Sequence, residues 1–230
     1  MKYPLIVLFF FFSPIISAQE LKKGLLMPDD GFDVCCIYIP KTGLKIYTHP
    51  KGVSIGKLTL GSNDSNNEGY EAFITVKGQM SEFEYANLEM VGYEIMAIIY
   101  TDRKDGFVKT KNGYWLSESE LTSKGLKLTS WMQYLINRKG VLGWYANDPG
   151  LNLRKRPSTD SQKIVTLTGD LWQITSVNKQ KGLWCKVKVK KYKKHPCSGE
   201  EDLIIQEITG WVKLLSDNQT PNVWSYLKGC

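Results

Sequence analysis

Four short blocks recur in the same order along two stretches of this 230-residue chain. A chain that repeats itself folds as repeated units, so this self-similarity constrains the architecture before any element is assigned. Gly43-Leu44-Lys45-Ile46-Tyr47-Thr48-His49-Pro50 runs parallel to Gly150-Leu151-Asn152-Leu153-Arg154-Lys155-Arg156-Pro157 at an offset of 107. Gly92-Tyr93-Glu94-Ile95 matches Gly169-Asp170-Leu171-Trp172, and Phe107-Val108-Lys109 matches Trp184-Cys185-Lys186, both at an offset of 77. Gly113-Tyr114-Trp115 matches Gly210-Trp211-Val212 at an offset of 97. The changes in offset put 30 extra residues in the first copy and 20 in the second. Each copy closes on a Trp and a Tyr-Leu pair: Trp131, Tyr134, Leu135 and Trp224, Tyr226, Leu227.

The local patterns are those of short strands. In Trp184–Lys190, Cys185, Val187 and Val189 alternate with Lys186, Lys188 and Lys190, the period of two of a half-buried strand. Ile95–Tyr100 is nearly all apolar and predicts a fully buried strand. Turn signals separate such runs: Lys104-Asp105-Gly106, Lys181-Gly182, and Asn112-Gly113, which predicts a two-residue hairpin. Many short strands at close spacing predict an all-β fold, two small tandem barrels over 34–137 and 138–230. Each is expected to end in a short helix, near Ser130–Asn137 and near Asn222–Leu227. Leu151, Leu153, Val165, Leu167, Leu171, Ile174 and Val187 are the expected core of the second. In the first-copy insertion, Ser62–Asn67 is polar and loop-like, while Glu71–Lys77 reads as part of an added hairpin.

The second copy resembles a known family at this point. Gly150-Leu151-Asn152-Leu153-Arg154-Lys155-Arg156-Pro157-Ser158 opens it, followed by Ile164–Asp170, Trp184–Val187 and Gly210-Trp211-Val212. These are similar to the L-N-x-R-x-x-P-S opening, G-D turn, W-x-K-V strand and closing G-W-V of the bacterial Src-homology-3-like (SH3b) domain. The likeness covers about Val141–Ser216. The first copy, about Val34–Leu121, departs from the pattern: His49-Pro50-Lys51 replaces R-x-P-S, and Tyr114-Trp115 replaces G-W-V. The resemblance implies a five-stranded barrel and an accessory targeting or binding module of exported proteins.

Residues 1–18 read as a signal peptide. Lys2 gives a positive start, Leu5–Phe12 an apolar run too short to span a bilayer of about 30 Å, and Ser17-Ala18 a small-residue cleavage site. Residues 19–33 read as a linker. The expectation is an exported protein, periplasmic or extracellular, where disulfides form. Cys185 and Cys197 are the first candidate bridge, worth on the order of 3 kcal/mol for so short a loop. One of Cys35 and Cys36 is the expected partner of Cys230.

Charge divides unevenly. Residues 19–130 carry 13 basic and 15 acidic side chains, residues 131–230 carry 16 and 8. The basic second copy suits anionic partners such as envelope polymers. Nucleic acid is not expected, because the segment reads as exported and no nucleic-acid motif accompanies the charge. With 42 % hydrophobic and 23 % charged residues the chain is of ordinary globular composition, and stable membrane insertion is not expected. Trp184, Lys186, Lys188 and Lys190, with Trp172 and Trp211 nearby, are the candidate ligand contacts, aromatic rings for stacking beside cations. Enzyme chemistry has no motif: G-x-S-x-G, H-E-x-x-H and a phosphate-binding glycine loop are all missing, and His49 and His195 are the only histidines. Neither a metal site nor a cofactor is implied. The functional expectation is a non-enzymatic module for cell-wall glycan or peptide, or alternatively an adaptor for an envelope protein.

Overall fold

The computed structural model describes residues 21–29, 36–61, 71–138, 143–195, 198 and 203–226, and for 176–178 the backbone alone. The expected signal peptide, the polar run 62–67, and Cys35, Cys197 and Cys230 lie outside these residues. The chain is all-β. In order, the strands of the first half are β1 Gly24–Pro28, β2 Cys36–Ile37, β3 Leu44–Ile46, β4 Gly56–Leu60, β5 Ala72–Val76, β6 Gln79–Glu82, β7 Leu88–Gly92, β8 Ile95–Lys104, β9 Phe107–Thr110 and β10 Trp115–Ser117. Helix α1 Glu118–Ser123, strand β11 Leu126–Ser130 and helix α2 Trp131–Asn137 complete it. The second half holds β12 Tyr145–Ala146, β13 Leu151–Arg154, β14 Lys163–Leu167, β15 Trp172–Lys181, β16 Trp184–Tyr192, β17 Ile204–Lys213 and β18 Val223–Trp224.

Both halves use one plan of pairing. In the second, β15, β16 and β17 form a meander, β13 joins it through Arg154↔Trp211, and β13 pairs with β14. In the first, β8, β9 and β10 form the meander, and a Tyr47↔Trp115 bridge links the end of β3 to β10. The ends close alike: β1 pairs with β11 and β8, as β12 pairs with β18 and Trp144 bridges to Ile174 in β15. The hairpin expected in the first-copy insertion is β5–β6, which extends the β3–β4 pair into a four-stranded sheet.

The pairing corrects four expectations. Trp115 lies opposite Lys109 as Trp211 lies opposite Lys186, so the true counterpart of Trp115 is Trp211 rather than Val212. The slip arises because Gly113 sits in a turn, φ +97, and not at a strand start. That turn spans three residues, since the Thr110 N–H donates to the Tyr114 carbonyl at 2.8 Å. The two-residue hairpin is instead Asp105-Gly106, both with positive φ, as a type I′ turn requires. Within the segment read as a linker, Gly24–Pro28 form a central strand, with Leu25 and Leu26 buried. Residues 222–227 hold no helix among those described, because Trp224 and Tyr226 are two apart, the spacing of a strand. Trp131, Tyr134 and Leu135 lie at helical spacing and do form α2, whose Ser130 and Gln133 make a capping box.

Alternation seals the second half. Leu153, Leu167, Cys185, Val187, Val189 and Val212 are each 0 % exposed and point to one core. Enclosing an aliphatic side chain of this size contributes about 1.5–3 kcal/mol. Gly210 is required there, because a Cβ would lie 2.9 Å from the Arg154 carbonyl and 2.8 Å from Leu153. The same core takes in Leu25, Ala97 and the α2 residues Trp131, Met132, Tyr134 and Leu135, so the halves share it. Trp144 joins them directly, its indole N–H donating to the Leu135 carbonyl at 3.1 Å in a buried position. A second cluster, with Leu44, Ile46, Leu58, Ile98 and Val108, belongs to the first half alone.

Trp144→Ala should therefore destabilise the whole chain by about 3–5 kcal/mol. Urea unfolding followed by circular dichroism and by fluorescence should show one transition moved to lower urea. Two transitions, only one of them moved, would contradict a shared core.

Candidate functional site

Antiparallel neighbours directly opposite each other share a face, so the register assigns the outer surface of the second half. Lys181↔Trp184↔Lys213 form one row across β15, β16 and β17. Lys186↔Trp211↔Arg154 form the next, across β16, β17 and β13. Lys188 follows between Thr175 and Thr209, and Lys190 between Gln173 and Glu207. Five of the six expected contacts are thus on one face: Trp184, Lys186, Lys188, Lys190 and Trp211. Both tryptophans are half-buried, so each presents part of its ring.

Trp172 is a correction. It lies two residues before Ile174 on the same face of β15, is 8 % exposed, and packs in the core. Its ring is covered by Lys191, whose Nζ is 5.0 Å from the ring centroid. Cys185 points inward beside Val187, its Sγ 3.4 Å from the Lys186 carbonyl, while Cys197 lies outside the described residues. Lys181, Lys213 and Arg154 belong to the site and went unnoticed in the sequence. For Lys181 the signal was present: a two-residue Gly182-Leu183 turn obliges it to oppose Trp184.

Charge on this face is partly neutralised from within. Glu207 lies 2.6 Å from Lys188 Nζ and 4.0 Å from Lys190 Nζ, and its hydrogen bond to Lys188 holds its carboxyl below the usual range. Lys213 pairs with Asp217 at 2.5 Å, and an Arg154 N–H donates to the Ser161 carbonyl at 2.6 Å. Lys181 and Lys186, one beside each tryptophan, have no carboxylate within 4 Å among the described residues. With Arg154 tied to a carbonyl, these two lysines are the cations of this face most open to an outside anion.

Comparison with protein-family models, curated proteins and solved structures finds no match for this chain. The site must be read from its own geometry. Among the described residues no cluster of His, Cys, Asp and Glu is placed to hold a metal, and no helix is long and apolar enough to cross a membrane. His49 sits in an exposed loop after β3, with Nδ1 3.2 Å from the Pro50 carbonyl. His195 lies at the other end of the chain, 4.0 Å from Asp170, in an aromatic group with Tyr145 and Tyr226. The face itself offers flat rings, two open cations and hydroxyls, which suit stacking and ion pairing with an extended anionic ligand.

Because Glu207 competes for Lys188 and Lys190, Glu207→Gln should make the protein leave a heparin column at higher salt than the unmodified chain. The lowered carboxyl keeps its pairs above the ordinary carboxylate range and loses them only as pH falls through its own depressed value. The gap between variant and unmodified protein should therefore persist at neutral pH and close at acid pH. Equal retention at neutral pH would remove Glu207 from the account.

Proposed function

We propose that this protein is an exported, non-enzymatic module of two SH3-like barrels that binds an anionic cell-wall or envelope polymer. The observation that carries this reading is the pair of outward tryptophans, Trp184 and Trp211, each set in a row with basic neighbours on one sheet face. An aromatic ring stacks on a sugar or peptide plane, and a neighbouring lysine takes the anionic group. The strand order of the second half, with β13–β14 as a hairpin beside the meander and β12 pairing β18, agrees with the barrel that the SH3b resemblance implies. A binding rather than catalytic role is supported by the enclosure of Cys185 in the core. The adaptor alternative draws on one feature, the edge strand β6, whose four residues are all exposed and which among the described residues pairs only with β5. An open edge of this kind accepts a strand from a partner.

Co-sedimentation with purified peptidoglycan at low and physiological salt tests the reading. Saturable binding is expected, weakened at least about tenfold in Trp184→Ala, Trp211→Ala and the triple charge reversal Lys186→Glu, Lys188→Glu, Lys190→Glu. Raising salt should weaken it further, since both open cations face solvent. Binding untouched by all three variants would refute the assigned face. No binding at either salt would refute the polymer and turn attention to a strand-adding partner at β6.

A further inference from the structure

A cleft of about 320 Å³ lies where the two halves meet, and its lining shares no residue with the face just described. Its floor is aromatic. Tyr134 meets Trp131 and Trp144 edge-on, each with ring centroids 6.0 Å apart, and all three are largely buried. Trp224, 37 % exposed, forms one lip with Asn147. Glu89 from β7 and Arg138 at the end of α2 also line the cleft.

The two charges are the informative part. The guanidinium carbon of Arg138 lies 5.1 Å from the Tyr134 centroid and 5.8 Å from that of Trp144, and one of its N–H groups donates to the Tyr134 hydroxyl. The two rings and the Tyr134 hydroxyl hold the guanidinium in place while leaving most of its five donors for a ligand. Neither Arg138 nor Glu89 has an ion-pair partner within 4 Å among the described residues. Burial pushes the Glu89 carboxyl up against the pull of Arg138 and Lys111, and brings Arg138 down to about 10. Half-buried charges held short of ion-pair contact are unfavourable, and a ligand that contacts both relieves them.

We infer that this cleft binds a free α-amino acid with an apolar side chain: carboxylate on Arg138, ammonium on Glu89, side chain on the aromatic floor. A phosphate would set its negative charge against Glu89. A simple cation would leave Arg138 unpaired, and a neutral sugar would pair neither charge with its opposite. A volume at the low end of small-molecule sites, about 300–1,000 Å³, fits a ligand of this size.

The test uses the full mature chain with leucine, N-acetyl-leucine and leucinamide, followed by equilibrium dialysis and tryptophan fluorescence. Leucine should bind saturably below about 10 mM, and each blocked form at least about tenfold more weakly. Arg138→Gln should abolish binding. Glu89→Gln should lower leucine to the level of its N-acetyl form, and carries the test if Arg138→Gln fails to fold by circular dichroism. Lys57→Ala, at an exposed position on β4 outside the cleft and the outer face, should leave leucine binding unchanged. Absence of saturable leucine binding, or equal binding of the blocked forms, would overturn the inference and leave the polymer reading where it stands.

Discussion

The packing of Trp144 against α2 is the contact on which the rest of the molecule depends. Its indole N–H is buried and finds its acceptor in the Leu135 carbonyl, across the boundary between the two repeats. Leaving that donor unpaired would cost about 1–3 kcal/mol, so the two halves are held in one arrangement. The strand that follows Trp144, β12, pairs with β18, and Trp144 itself bridges to Ile174. One residue therefore ties α2 of the first half, through its side chain, to β15 of the second, through its backbone. The two halves share a pairing plan and a common core rather than sitting as two beads on a string.

That arrangement decides which surfaces are free. The inner faces of β15, β16 and β17 are used up by the core, where Cys185, Val187 and Val189 are fully enclosed. Whatever sits opposite them must face outward, and what sits there is lysine, tryptophan and threonine. The same pairing in the first half puts Phe107, Lys109 and Trp115 at the corresponding positions, with Tyr47 in place of Arg154. There Tyr47 and Phe107 meet edge-on at 5.3 Å, and Trp115 is only 8 % exposed beneath Lys109. The first repeat has turned its outer face into packing, whereas the second keeps partly exposed rings and two open cations.

Much of this was legible in the residues, and the failures have definite causes. The strand Trp184–Lys190 declared its faces because its apolar and charged residues alternate strictly. The strand at Ile95–Tyr100 declared its burial but not its neighbours. Trp172 was misassigned because a strand's own pattern does not say which face meets the core until its partner is known: Ile174, two residues on, bridges to Trp144. β1 was missed because Leu25, Leu26 and Met27 form a short run ending at Pro28, with neither alternation nor β-branching to mark a strand. The expected C-terminal helix failed on a countable feature, the two-residue spacing of Trp224 and Tyr226 against the three-residue spacing of Trp131 and Tyr134. The cleft between the halves had no sequence signal at all, since Glu89 and Arg138 approach only through the packing of distant segments.

The proposed polymer would meet the outer tryptophans of the second half, Trp184 and Trp211, and not the buried ones. The seven tryptophans each give an indole N–H signal in a nitrogen–proton correlation spectrum. Adding soluble peptidoglycan fragments should move the signals of Trp184 and Trp211 progressively, with Trp131, Trp144 and Trp172 unmoved. Shifts confined to the buried three, or no shift in Trp184 and Trp211 at saturating fragment, would contradict the account.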